Sequence, residues 1–170
     1  VVDNLNNMMG GISKAYLKSC LSEFVTGITI ITTVSESGSM HGITVNSFNS
    51  VSLVPPMVLF SIEKSASRFE IFHSCSRFIV NILSEKQKDV SKSFAERYVQ
   101  DWGDFSSNVI DGIPVIDGVM SYIYCTKKHV YDGGDHKIIV GEVIDCSKLN
   151  NEDRPLVYYK GKYMIIGGVL

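Results

Sequence analysis

Small polar side chains crowd one stretch of this 170-residue chain, HGITVNSFNSVSLVPPMVLFSI, from His41 to Ile62. Thr44, Val45, Asn46 and Ser47 end an apolar, β-branched run. Ser50, Val51 and Ser52 follow, and the stretch breaks at Pro55 and Pro56 before a second apolar run. Along a strand, alternation puts Thr44 and Asn46 on one face and Val45 on the other. Hydroxyls and amides in such company are costly to bury without partners. An amide offers both a donor and an acceptor, which suits a flat ligand with a polar edge, such as a flavin ring. The same residue types also cap their own backbone in loops, and that reading stands beside the first.

Two further segments carry chemistry. Lys64-Ser65-Ala66-Ser67-Arg68 sets two hydroxyls and two cations at a predicted helix start. Free N–H groups and the helix dipole favour a phosphate there, while a solvated N-cap would use the same residues. It is no Walker loop, having no glycines. Gly133-Gly134-Asp135-His136 is a predicted turn. There His136 could donate a hydrogen bond near a reacting ring, act as a general acid, or simply be polar on a turn. The fingerprint G-x-G-x-x-G is missing, which argues against a Rossmann nicotinamide site, and there is no nucleophile elbow.

These residues need a scaffold. Ser13–Thr26 reads as a helix capped by Ser13 and ended by Gly27, with Leu17, Cys20, Leu21 and Phe24 on one face. Gly27–Val34 and Met40 to about Phe48 form a strand pair around a turn containing Gly38. Met57–Ile62 is expected to be a short strand buried on both faces, with a bend or an edge at the prolines. Lys64–Ser74 opens a short helix capped by Ser65 or Ser67, and Arg77–Leu83 is a strand. Ser84–Arg97 is an amphipathic helix with a Ser84/Gln87 capping box and Val90, Phe94 and Tyr98 along one side. Val99–Pro114 reads as a long ordered loop. Two long strands, Val119–Tyr131 and His136–Leu149, flank the DGGD turn. A last hairpin pairs Val157–Tyr159 with Tyr163–Ile166 around Lys160-Gly161. Six or seven hairpin-connected strands and three helices, without strand–helix alternation, predict a mainly β fold: an antiparallel barrel, closed or partly split.

Composition narrows the function classes. With 45% hydrophobic and 20% charged residues and a net charge of −2, the chain reads as one globular domain over residues 1–170, its core about 13–166. There is no basic stripe for nucleic acid and no apolar run of the ~20 residues that a membrane helix needs. VVDNLNNMMGG lacks the basic flank and apolar core of an export signal, so the expected address is the cytoplasm. Cys20, Cys75, Cys125 and Cys146 show no C-x-x-C spacing and are expected to be buried reduced thiols. The four histidines have no metal-ligand spacing, and no metal is expected.

With FVTGITIITT before it and KSAS after it, the His41–Ile62 stretch resembles the flavin reductase-like family of FMN-binding split-barrel proteins. That family includes the small reductase components of two-component flavin monooxygenases. The resemblance runs from about Leu21 to Tyr163 and takes in RFIVNIL, PVIDG, GDH at Gly134–His136 followed by IIVGEV, and YYKGKY. It implies a split antiparallel barrel with Greek-key character and a homodimer holding FMN or FAD near the subunit interface. It also implies hydride transfer from NADH or NADPH to the flavin, and a partner monooxygenase. Carried onto this sequence, Thr44, Val45, Asn46 and Ser47 would contact the flavin, and Ser50, Val51 and Ser52 would lie along the ring edge. Ser65 and Ser67 would face the phosphate, Phe94 or its neighbours would flank the site, and His136 would position the nicotinamide. Two departures are visible: the first helix reads YLKSCLSEF where the family often has an Arg and an Ala-Met-Gly, and Val54 stands where an Asp commonly precedes the prolines. A flavin-carrying electron-transfer protein without nicotinamide activity and a non-catalytic flavin-binding module share the fold and stand as alternatives.

Overall fold

The computed structural model describes residues 8–9, 11–95, 102, 104–106, 108–149 and 152–167. Seven strands form one antiparallel sheet: β1 (Thr29–Val34), β2 (Met40–Val45), β3 (Asn49–Leu53), β4 (Pro56–Glu63), β5 (Arg77–Ile82), β6 (Ser121–Gly133) and β7 (His136–Lys148). Their order across the sheet is β2-β1-β5-β6-β7-β4-β3. β2 and β3 are therefore opposite edges, yet only three residues, 46–48, join them. Laid flat, those edges would stand about 29 Å apart at the usual strand spacing. The link from Val45 to Asn49 reaches about 14 Å at most. The sheet must curl until its edges meet. Ser47 staples the seam: its Oγ donates to the Ser61 carbonyl and accepts from the Ser61 N–H, each at 3.0 Å. This is the antiparallel, mainly β fold expected from the sequence, curled so that the β2 and β3 edges meet at a seam.

Alternation along the strands buries both faces of the sheet. Ile31, Val45, Phe60, Phe78, Val80, Cys125 and Ile139, drawn from six of the seven strands, form one apolar cluster inside the barrel. Their neighbours Ile30 and Ile79 join Leu83, Phe94, Ile113 and Val119 in a second cluster on the outside. Phe78 packs so closely on β7 that a Cβ at Gly141 would lie 2.5 Å from its ring, which explains the glycine inside IIVGEV.

Several expectations need correction. The first helix, α1 (Lys14–Leu21), begins as predicted, with the Ser13 hydroxyl accepting from the Tyr16 N–H at 3.2 Å. It ends at Ser22, whose carbonyl accepts from the Lys160 N–H. The chain then turns away, and Thr26–Gly27 pairs with Val157–Tyr158, so Gly27 is a strand residue. Helix α2 (Phe69–Ser74) starts later than expected, with Arg68 in the N-cap position and neither Ser65 nor Ser67 capping it. Helix α3 (Lys88–Ala95) follows a 3-10 turn in which Gln87 Oε1 accepts from the Ser84 N–H at 2.9 Å. Tyr98, predicted for its apolar side, lies outside the described residues.

β4 alternates, with Val58, Phe60 and Ile62 buried and Met57, Leu59 and Ser61 only partly so, because just one of its faces lines the barrel interior. β3 and a small hairpin, Asn108–Ile110 with Ile113–Val115, stand where loops were expected. The second turns on Asp111 and Gly112, both at positive φ (51° and 80°), the signature of a type I′ turn. Hairpins connect β1–β2, β3–β4 and β6–β7. By contrast, β4 to β5 crosses to a non-adjacent position, and β5 to β6 passes through α3. Cys75 and Cys125 are buried, but Cys20 and Cys146 are exposed, Cys20 on a helix that has no buried residue. Burial pushes the Cys125 thiol up to about 12. No helix among the described residues is long and apolar enough to cross a membrane.

Candidate active site

A cleft of about 400 Å³, within the usual range for small-ligand sites, opens at the seam. Five pieces of chain meet there: the end of β2 with the link after it (Ile43, Thr44, Val45, Asn46, Ser47), the end of β4 (Ser61, Ile62, Glu63), the following loop (Ala66, Ser67, Arg68), the end of α3 (Ala95) and the start of β7 (His136). The β4–β7 ladder is what brings the end of β4 and the start of β7 together, because it sets His136 opposite Glu63. Gly133 pairs with His136 across a two-residue turn in which Gly134 takes φ +75°. That conformation favours glycine.

The polar side chains divide by what they bind. Thr44 Oγ1 donates to the Ser91 carbonyl of α3 at 2.7 Å, and Ser47 is doubly bonded to Ser61. Both therefore serve the main chain first. The Asn46 amide, exposed in the cleft, makes no hydrogen bond within the described residues. Arg68 is half-buried; burial lowers its pKa, yet a guanidinium stays charged at neutral pH. Burial first, and the Arg68 charge second, hold His41 below the ordinary histidine range, so the positive charge beside the cleft is that of Arg68. His136 Nδ1 lies 2.6 Å from Asp135 Oδ1, which leaves Nε2 as the ring nitrogen free for a ligand. That hydrogen bond, and then the imidazole charge, keep the Asp135 carboxyl below the usual range.

Of the residues singled out in the sequence, Thr44, Val45, Asn46, Ser47, Ser67 and His136 converge on this cleft. Ser50, Val51 and Ser52 do not line it. They lie on β3 opposite Val58 and Met57, further along the strand, and Ser52 Oγ accepts from the Val54 N–H at 3.2 Å. Ser65 points elsewhere, donating to Glu63 Oε1 at 2.5 Å. Phe94 is fully buried, packed on Gly42, where a Cβ would lie 2.5 Å from its ring, and against Trp102 and Phe105. Its neighbour Ala95 is the residue that reaches the cleft. Sequence reasoning passed over Ile43, Ser61, Glu63 and Ala66; the pairing of β4 with the GDH strand would have pointed to Ser61 and Glu63. The group of polar donors fits a flavin: an amide, a guanidinium and an imidazole share the cleft with the apolar side chains of Ile43, Ile62, Ala66 and Ala95. No cluster of metal-ligating side chains occurs among the described residues.

A curled antiparallel sheet with a ligand-sized polar cleft at its seam defines a class of small β proteins, and comparison with known proteins narrows it. Residues 21–167 match the family model described as flavin reductase like domain. HsaB of Mycobacterium tuberculosis, the reductase subunit of a flavin-dependent monooxygenase, is 38% identical over 92% of this chain and 84% of its own. The FMN reductase (NADH) SmoA of Agrobacterium fabrum is 37% identical over 91% of this chain and 87% of its own. The flavin reductase PheA2 superposes with a TM-score of 0.84 at 34% identity, covering 92% of this chain and all of PheA2. The NADH:FAD oxidoreductase SgcE6 of Streptomyces globisporus superposes at 0.83 and 30% identity, covering 92% of this chain and 94% of its own. The chain belongs to the flavin reductase-like family.

Proposed function

We propose that this chain is an NAD(P)H-dependent flavin reductase that takes FMN, or FAD in its place, and passes reduced flavin to a partner monooxygenase. The observation that carries the reading is the convergence of the Asn46 amide, the Arg68 guanidinium and the His136 imidazole on one cleft from three separate segments. The relatives named as NADH-dependent reductases and as monooxygenase reductase subunits support it. When bound, a flavin supplies a two-electron acceptor for the hydride leaving the nicotinamide.

The residues of the chain do the rest. Asn46 offers a donor and an acceptor to the polar edge of the ring. Arg68, with Ser67 beside it, holds the phosphate. Ile43, Ile62 and Ala95 displace water from the ring face. His136, its Nδ1 held by Asp135, turns Nε2 to the nicotinamide. Orientation of this kind, rather than acid–base chemistry, is what hydride transfer demands of a protein. In this proposal Thr44 and Ser47 act through the backbone they hold, and Phe94 by packing under Ala95. Ser50, Val51, Ser52 and Ser65 are not ring contacts within one subunit.

A homodimer belongs to the same proposal. Leu17, Leu21 and Phe24 of α1 and the turn after it, with Leu53 and Val54 at the β3–β4 tip (86% and 91% exposed), leave apolar surface that a second subunit would cover. An NADH-consuming enzyme works where NADH is regenerated, so the proposed location is the cytoplasm. A steady-state assay of NADH and NADPH oxidation with added FMN or FAD tests the activity. Turnover with at least one pair is expected, and none with any pair refutes the reading.

A further inference from the structure

The long β6–β7 hairpin carries His136 at its tip, and that tip is supported unequally. On its β7 side, β4 pairs with residues 136–142. On its β6 side, β5 pairs only with Ser121–Thr126. Beyond Lys128, the β6 strand has no second strand beside it among the described residues. One side chain makes up the deficit. Lys64, just past the end of β4, sends its ammonium to the Gly134 carbonyl at 2.7 Å and to Asp132 Oδ1 at 3.0 Å, while its own N–H donates to the Asp135 carbonyl at 2.9 Å. Asp132 is also engaged by Lys137 at 2.9 Å. Lys64 thus holds two successive carbonyls of the turn, those of Gly134 and Asp135, the second one residue from the imidazole. The loop it opens carries Ala66, Ser67 and Arg68 into the same cleft.

We propose that Lys64 is a positioning residue: it locks the Gly134–Asp135 turn to the 64–68 loop, and so fixes the His136 ring relative to the groups that hold the flavin. The enzymatic half of this inference rests on the proposed role of His136 toward the nicotinamide; the mechanical half does not. A Lys64→Met chain keeps the stem of the side chain and loses both ammonium bonds. Amide hydrogen exchange of the cofactor-free protein is expected to speed up about tenfold across residues 129–137 and to stay unchanged in β1 and β5. The KM for NADH is expected to rise about tenfold, with FMN affinity within about twofold of the parent. Lys64→Arg, which can reach the same carboxylate and carbonyl, restores both values. Asp132→Asn shifts exchange in the same direction by less. Unchanged exchange at the tip in Lys64→Met overturns the proposal outright. So does faster exchange with an unchanged KM for NADH, if His136→Ala does raise that KM. Should His136→Ala leave the KM unmoved, it is the nicotinamide assignment that fails, and the exchange measurement alone decides whether Lys64 holds the turn.

Discussion

In the proposed reductase Asn46 and His136 face different substrates, and their separate roles make separable predictions. The Asn46 amide is the one group of the TVNS block that the protein leaves for a ligand, while its neighbours are bonded to main chain. Asn46→Leu removes a donor and an acceptor and leaves polar ring atoms unpaired, which costs about 1–3 kcal/mol. Flavin affinity is expected to fall by about 5- to 150-fold in a fluorescence titration, with the melting temperature little changed. An unaltered titration refutes the assignment. His136→Ala is expected to raise the KM for NADH and to leave flavin affinity within about twofold, because the proposal turns Nε2 to the second substrate. Equal losses in both would count against that division. At this scale the sequence was legible in chemistry and illegible in allegiance. That Thr44 and Asn46 share a face follows from alternation. That Ser47 is spent on Ser61 follows only from the meeting of two sheet edges, which no local pattern announces.

Among the elements, β5 depends on one buried amide. Asn81 is fully buried; its Nδ2 donates to the Ile30 carbonyl and to Thr32 Oγ1, both at 3.0 Å, and its Oδ1 accepts from the Ile116 N–H at 2.9 Å. It pins the 113–116 segment to the barrel. Asn81→Leu leaves the Ile116 N–H without its partner and is expected to destabilise the fold by about 2–4 kcal/mol in urea unfolding. Flavin affinity of the folded fraction would be retained. The hairpin tip has a pH limit of its own. Hydrogen bonds to Lys137 and Lys64, then their charges, lower Asp132 to about 2 from an ordinary 3.8. A carboxyl depressed by folding adds its stabilisation above the unfolded value and loses it as pH falls through the folded one. Exchange at residues 129–137 should therefore be flat above about pH 4, once the intrinsic rate is divided out, and accelerate between about pH 4 and 2. The long strands and α3 were plain from β-branched runs and helical spacing. β3 was not: an edge strand exposed on its outer side reads NSVSL, as polar as a loop. The Asp111-Gly112 hairpin was missed although its turn residues are the strongest local signal there is, because its arms are only three residues long.

For the molecule as a whole, the uncovered apolar surface is the feature the sequence misdirected. Leu17, Leu21 and Phe24 have helical spacing, which predicts a face packed on the subunit's own core, yet Leu21 and Phe24 are 64% and 74% exposed. Periodicity shows that a face will be buried without showing against which chain. Leu21→Glu with Phe24→Glu is expected to convert the proposed dimer to a monomer in light scattering, with the β-sheet circular dichroism retained; a parent chain that is already monomeric removes the idea. The three-residue strap across the seam reaches further. Asn46 and Ser47 wall the cleft and, with Phe48, tie two sheet margins together, so a guest gripped by Asn46 would also hoop the barrel shut. At a hundredfold excess over its dissociation constant, that guest would contribute about 2.7 kcal/mol to the folded state. Heating should then extinguish binding and strand structure in one transition rather than two, since no partly opened barrel can keep its pocket.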